Sequence, residues 1–129
     1  MKAARRERGS VTLVTTGVMV LTAVLALASV DVLRALQGVA RAQTGADAAA
    51  LAAAQELALP TGTDPAVVAA DFADRNGTTL VSCACQPPSA DAVVEVEVSV
   101  PFVLLGGSRT VHAMARAVVE GHGESPGRT

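Results

Sequence analysis

The sequence has no tryptophan and no tyrosine, and only two phenylalanines, Phe72 and Phe102. Large aromatic side chains therefore contribute little buried area, and any core has to be built from Ala, Val and Leu. With 129 residues the chain has room for one domain at most, and a core made of small residues leaves such a domain marginal by itself. Basic charge is scarce beyond the N-terminus: residues 31–129 hold six basic and eleven acidic side chains, so no basic surface exists for nucleic acid. Catalytic motifs are missing as well. There is no phosphate loop and no His-Glu helix pair, and Gly106-Gly107-Ser108 reads as a turn. No enzyme activity, cofactor or small-molecule substrate is expected.

What is present begins with charge and then loses it. Lys2, Arg5, Arg6 and Arg8 stand against Glu7, and from Ser10 to Val30 there is no charged residue. At about 1.5 Å rise per residue, a helix of that length covers roughly 31 Å, close to the hydrocarbon thickness of a bilayer. The basic cluster on one side, against Arg34 and Arg41 on the other, assigns residues 1–9 to the cytoplasm, 10–30 to a membrane helix and Asp31 onward to the outside of the plasma membrane. The competing reading is a secretory signal cleaved after Ala28, since Ala26-Leu27-Ala28 before Ser29 fits a small-residue cleavage site. Helical patterning nevertheless continues through that site. Val32, Ala35, Val39, Ala42, Ala46, Ala49 and Ala53 recur at steps of three and four, while Arg34, Gln37, Arg41 and Thr44 share another face. The Ala-rich stretch "ADAAALAAAQELAL" has the highest helix propensity available, and Pro60-Thr61-Gly62 supplies a stop. The expectation is one helix of about fifty residues through 31–59, unless it breaks near Gly38 or Gly45. Its alanine stripe reads as ordinary core or as a seam between subunits.

Residues 61–120 read as a small α+β domain. Asp64 suits an N-cap, Pro65 the first helical position and Asn76-Gly77 the exit of a short helix, with Val68 and Phe72 toward the core. From Thr79 the period becomes two. "TLVSCAC" reads as a strand ended by Pro87-Pro88, and "AVVEVEVSVPF" sets Val94, Val96, Val98 and Val100 inward against Glu95, Glu97 and Ser99. After Gly106-Gly107-Ser108, "RTVHAMARAVVEG" alternates again, with Val111, Ala113, Ala115, Ala117 and Val119 opposite His112, Arg116 and Glu120. The fold class that follows is α+β, a single long N-terminal helix packed on a three-stranded antiparallel sheet. Residues 121–129 read as a frayed polar tail.

The cysteines form a Cys83-Ala84-Cys85 pair on the outer, oxidising side. On a regular strand their Cα atoms would lie about 7 Å apart, long for a disulfide without local distortion of the backbone. A disulfide within the chain or between subunits, unpaired packing thiols, and a redox or metal role all stay open. For metal, only His112 and His122 could add nitrogen ligands, at spacings unlike a zinc module, and no metal site is expected. Glu95 and Glu97 read as a solvated strand face.

Arg8-Gly9 before an apolar span, Asp31 at its outer end and then "RAQTGADAAALAAAQ" from Arg41 to Gln55 together resemble the N-terminal region of the TadE/TadG-like proteins of tight-adherence (Flp) pilus and related secretion systems. Gln43, Ala46, Asp47, Ala48, Ala49, Ala50, Leu51 and Ala52 match that family's Gln-x-x-Ala-Asp-Ala-Ala-Ala-Leu-Ala segment, and the short length and Val-rich second half are most similar to its small actinobacterial members. The resemblance implies a pilin-like architecture and a membrane-anchored subunit or accessory protein of a pilus or type II-like secretion apparatus. Its implied partners are other pilin-like subunits and an inner-membrane secretion platform. It also implies a departure: pilin-like precursors are cut after a glycine and carry a glutamate five residues into the mature chain. Here cleavage at Gly9 would make Ser10 first and Val14 fifth, with Glu7 on the wrong side. A carboxylate in hydrocarbon favours assembly because it needs a partner; without one, an accessory or anchored subunit is the better expectation. The alternative function is a secreted binding or redox module freed after Ala28 and working through Cys83 and Cys85.

Overall fold

The computed structural model describes residues 4–120, with side chains from Gly9 onward. The side chains of the basic N-terminal segment and all of 121–129, His122 included, lie outside the described residues. Helix α1, Ala4–Ala58, is unbroken over 55 residues. Helix α2, Pro65–Arg75, follows, and then strands β1, Thr79–Ala84, β2, Asp91–Pro101, and β3, Ser108–Val118. The strands form one antiparallel sheet in the order β1-β2-β3. The architecture is therefore the α+β arrangement read from the sequence, with the second half of α1 lying across the sheet and α2 packed on α1 and β1.

Local chemistry explains the short helix. Asp64 Oδ1 accepts from the Ala66 amide at 2.8 Å, Pro65 occupies the first turn, and the chain leaves through Asn76 into Gly77 at φ +69°. The face that α2 buries is one position removed from expectation. Ala69 and Ala73 are fully buried, whereas Val68 is only half-buried and Phe72 is exposed, its ring lying 5.3 Å beneath the Arg75 guanidinium. Two alanines in register let the helix axis come closer to α1 than a valine and a phenylalanine would allow.

The same logic corrects the stripe on α1. Ala42, Ala46, Ala49 and Ala53 are buried as expected, but Val32 and Val39 are exposed. Their places are taken by Asp31 and Gly38, which share the buried face with Gly45. Neither glycine breaks the helix; each is where another element touches it. A Cβ on Gly38 would strike Val100 Cγ2, and one on Gly45 would strike the Thr78 hydroxyl and lie 2.7 Å from its methyl. Thr78 is itself held, its hydroxyl donating to the Ala73 carbonyl at 3.0 Å. Against this narrow helix face β2 sets Val94, Val96, Val98 and Val100, of which Val94 and Val96 are the largest fully buried side chains. Burying each contributes about 1.5–3 kcal/mol. The seam is thus filled within the chain. On β3 the inward row Val111 to Val119 is half-buried, as an edge strand leaves it.

The first half of α1 packs on almost nothing. From Gly9 to Val30 every residue is exposed except Ala28, which is half-buried. The helix is long and apolar enough to cross a membrane.

Candidate functional site

Gly9 and Ser10, the residues that a pilin-type peptidase would separate, lie in an exposed stretch of α1 with nothing within 4 Å of a Cβ placed at Gly9. Val14, where a pilin would carry its glutamate, is 62% exposed. The span carries other polar groups that sequence reading passed over. Thr15, Thr16, Thr22 and Ser29 each donate a hydroxyl to the carbonyl four residues back, at 2.8 to 2.9 Å. A hydroxyl satisfied in this way can sit in hydrocarbon without a further partner.

Asp31 is the centre of the outer half. Its carboxylate accepts from three successive amides of the β2–β3 hairpin: Val103 at 2.7 Å, Leu104 at 2.8 Å and Leu105 at 3.3 Å. Only 5% of its surface is exposed. The Val103 amide holds the carboxyl below the usual carboxylate range against the opposing cost of burial, with the Leu104 and Leu105 amides and the Arg34 charge adding to it. The hairpin that it clasps spans 102–107, closed by the Phe102 amide donating to the Gly107 carbonyl at 2.9 Å, with Gly106 and Gly107 both at positive φ.

Glu56 performs the same task at the other end of α1, and no sequence motif singled it out. Its Oε1 accepts from the Thr61 amide at 2.6 Å and the Thr63 amide at 3.3 Å, and the Thr61 hydroxyl donates to the carboxylate as well. The Thr61 amide is the main reason that its carboxyl is lowered too. A glutamate in the last turn followed five residues later by threonine in a Pro-Thr-Gly stop was the available signal.

The family-like segment divides by face. Ala46, Ala49, Ala50 and Ala52 are buried, Ala48 is half-buried, and Leu51 is exposed. Gln43 and Asp47, also exposed, are joined by an amide-to-carboxylate hydrogen bond of 3.1 Å one turn apart.

Cys83 and Cys85 are joined as a disulfide with their Cα atoms 5.3 Å apart. The roughly 7 Å expected of a regular strand does not apply because β1 slips register between Leu80 and Ser82 and ends at Ala84. The slip also turns Cys83 to the same side as Leu80, so that the pair borders the core, with Cys85 buried. On the sheet's far face His112 stands 3.3 Å from Glu95 and 3.9 Å from Glu97, and the Arg116 guanidinium grips Asp91 with Nε at 2.9 Å. These groups lie on an open, solvated surface, and among the described residues no three of His, Cys, Asp and Glu converge as metal ligands would.

Comparison with known proteins bears on α1 alone. No curated protein matches the chain, and no solved structure does. Residues 9–56, which run from the start of the exposed span through Asp31 and the buried alanines to Glu56, match one family model. That model is the one for TadE/G-like Flp pilus-assembly proteins, and the likeness covers the long helix and not the sheet.

Proposed function

We propose that this chain is a non-enzymatic, membrane-anchored subunit or accessory protein of a tight-adherence pilus or related type II-like secretion apparatus. In this reading residues 1–9 are cytoplasmic, 10–30 cross the plasma membrane once, and 31–59 continue as the spine of an outer domain completed by 61–120, with the tail 121–129 beyond it. The observation that carries it is one uninterrupted helix, bare where it is apolar and buried where it meets the sheet, over the same residues that match a pilus-assembly family. The internally satisfied hydroxyls of Thr15, Thr16, Thr22 and Ser29 support a lipid surrounding for the bare part.

The partners in this reading are sister pilin-like subunits and an inner-membrane platform. Val32, Leu36 and Val39, exposed at helical spacing beside the buried face of α1, offer an apolar strip for a neighbouring helix. The missing acid at Val14 favours an accessory or anchored role over a filament shaft. Release after Ala28 as a secreted redox module is less well supported, because α1 runs unbroken through that point.

The test is the intact mass of the protein recovered from carbonate-washed native membranes. A chain beginning at Ser10 means processing at Gly9 and strengthens the pilin-like role; one that retains Met1 means a plain anchor. A soluble chain beginning at Ser29 overturns the proposal.

A further inference from the structure

The tip of the β2–β3 hairpin is apolar where a turn is usually polar. Val103, Leu104 and Leu105 are 50%, 44% and 70% exposed, and they follow a strand whose inward valines are nearly all covered. Their amides are bonded to Asp31, which is the first residue after the uncharged run. Helical side chains lean toward the N-terminus, so the Asp31 carboxylate lies over the preceding turn rather than at the level of its own Cα. The loop it holds is brought down with it. Phe102, Leu104 and Leu105 face Ala28 and Val32 across an apolar groove, and Ala28 belongs to the uncharged run and is its only half-buried residue. Two basic residues stand at the base of this tip. Arg34 is one turn above Asp31, about 4.5 Å along the axis, and acts on it electrostatically. Arg109 pairs with Val100 in the ladder, just above the hairpin's base at Pro101 and Ser108. Asp31, the acid at the tip, is already engaged by the amides.

We infer that the hairpin tip, Val103 to Leu105, inserts into the outer leaflet of the bilayer at the headgroup–acyl boundary, with Arg34 and Arg109 meeting lipid phosphates. The inference rests on the membrane-spanning reading of residues 10–30. The occupant is lipid because the patch is continuous through Ala28 with the bare face of the span, and because an apolar tip with basic residues at its base is the pattern that an anionic interface recognises. The consequence is a second point of attachment. The domain would not swivel freely on its helix but would rest on the membrane through the hairpin, at a height and rotation set by the Asp31 clasp.

The chain's lack of tryptophan supplies the probe. Three single-tryptophan variants of the full chain, Leu105→Trp, Leu21→Trp and Met114→Trp, would be reconstituted into phosphatidylcholine–phosphatidylglycerol vesicles, with and without lipids brominated near the carbonyl end of the acyl chain. Leu105 and Met114 are both exposed, so neither change disturbs packing; Leu104→Trp repeats the test at the adjacent position. The expected result is blue-shifted emission for Leu105→Trp with loss of most of its fluorescence on the brominated lipid, while Met114→Trp on the far sheet face stays red-shifted and unquenched. Leu21→Trp reports the span separately. Its emission blue-shifted in the vesicles, with Leu105→Trp red-shifted and unquenched, overturns the hairpin inference and leaves the anchor standing; a red-shifted, unquenched Leu21→Trp overturns the anchor itself. A Leu105→Trp emission that is blue-shifted at high protein-to-lipid ratio but insensitive to bromine means that a second copy covers the tip, and overturns the lipid assignment.

Discussion

The two halves of α1 are cut from nearly the same residues and live in different surroundings. From Gly9 to Val30 the helix carries Val, Leu, Thr, Ala and Gly in no fixed arrangement and buries none of them fully; from Asp31 to Ala58 it carries the same small and apolar residues in a strict stripe. Gly17 has open space where a side chain would go, while Gly38 and Gly45 have Val100 and Thr78. Apolarity alone suits lipid, which touches every side of a helix equally. A protein partner needs residue size ordered by position, because a sheet covers one side only. The comparison teaches that composition marks the first half and periodicity the second.

The largest effect should come from charge. Leu21→Arg places a cation near the middle of the bare half, at a cost of about 3–4 kcal/mol for the exchange in a bilayer. The protein should then wash from membranes with carbonate. Leu51→Arg, on an exposed position of the outer half, should leave both membrane retention and thermal stability unchanged. Next comes size. Gly45→Ala gains helix propensity but drives a methyl into the fixed Thr78 side chain, and should cost about 1–3 kcal/mol in thermal unfolding of the outer domain. Gly17→Ala, with nothing near it, should be neutral or gain up to about 1 kcal/mol of helix stability. If both glycines respond alike, the contrast between the halves is lost.

How far the sequence discloses this fold depends on whether a feature is periodic. The span, the alternating valines of β2 and the caps of α2 are legible because pattern or local chemistry determines them without knowledge of the partner. The face of α1 is legible only from Ala42 onward. Before that point Val32 and Val39 look like stripe residues, yet the sheet meets Asp31 and Gly38, and nothing in a single helix reveals which residue the sheet approaches. Phe72 and Val68 mislead in the same way, since hydrophobicity favours them while closeness of approach favours Ala69 and Ala73. The carboxylate clasps were only half visible. Asp31 stood out as the end of an uncharged run, but its role depends on amides about seventy residues away, and Glu56 looked like any acid on a helix.

Smaller effects sharpen the comparison. Replacing Cys83 and Cys85 together by serine should lower outer-domain stability by about 1–2 kcal/mol, the scale expected for so short a loop, while leaving membrane retention untouched. Acid should act in the same one-sided manner. Asp31 and Glu56 both have lowered folded-state pKa values, so below their unfolded values the unfolded chain binds more protons than the folded one. Their contribution is fully present above the ordinary carboxylate range, about pH 4. It declines as pH falls through that range and is lost below the folded pKa values. Thermal unfolding of the outer domain followed from pH 7 to pH 2 should show this decline. Asp31→Asn and Glu56→Gln should each flatten it, and retention of the span should not follow it.

The account's central claim is that one helix joins two compartments, and thiol labelling tests it most directly. The described chain has no free cysteine, its only pair being disulfide-bonded, so an introduced thiol can be read alone with a membrane-impermeant maleimide. Gln55→Cys and Ser10→Cys both lie on exposed helix surface at opposite ends of α1. The account predicts that Gln55→Cys labels on spheroplasts with an intact plasma membrane and Ser10→Cys only after that membrane is permeabilised. Labelling of both sites from outside, or of Ser10→Cys alone, would contradict it.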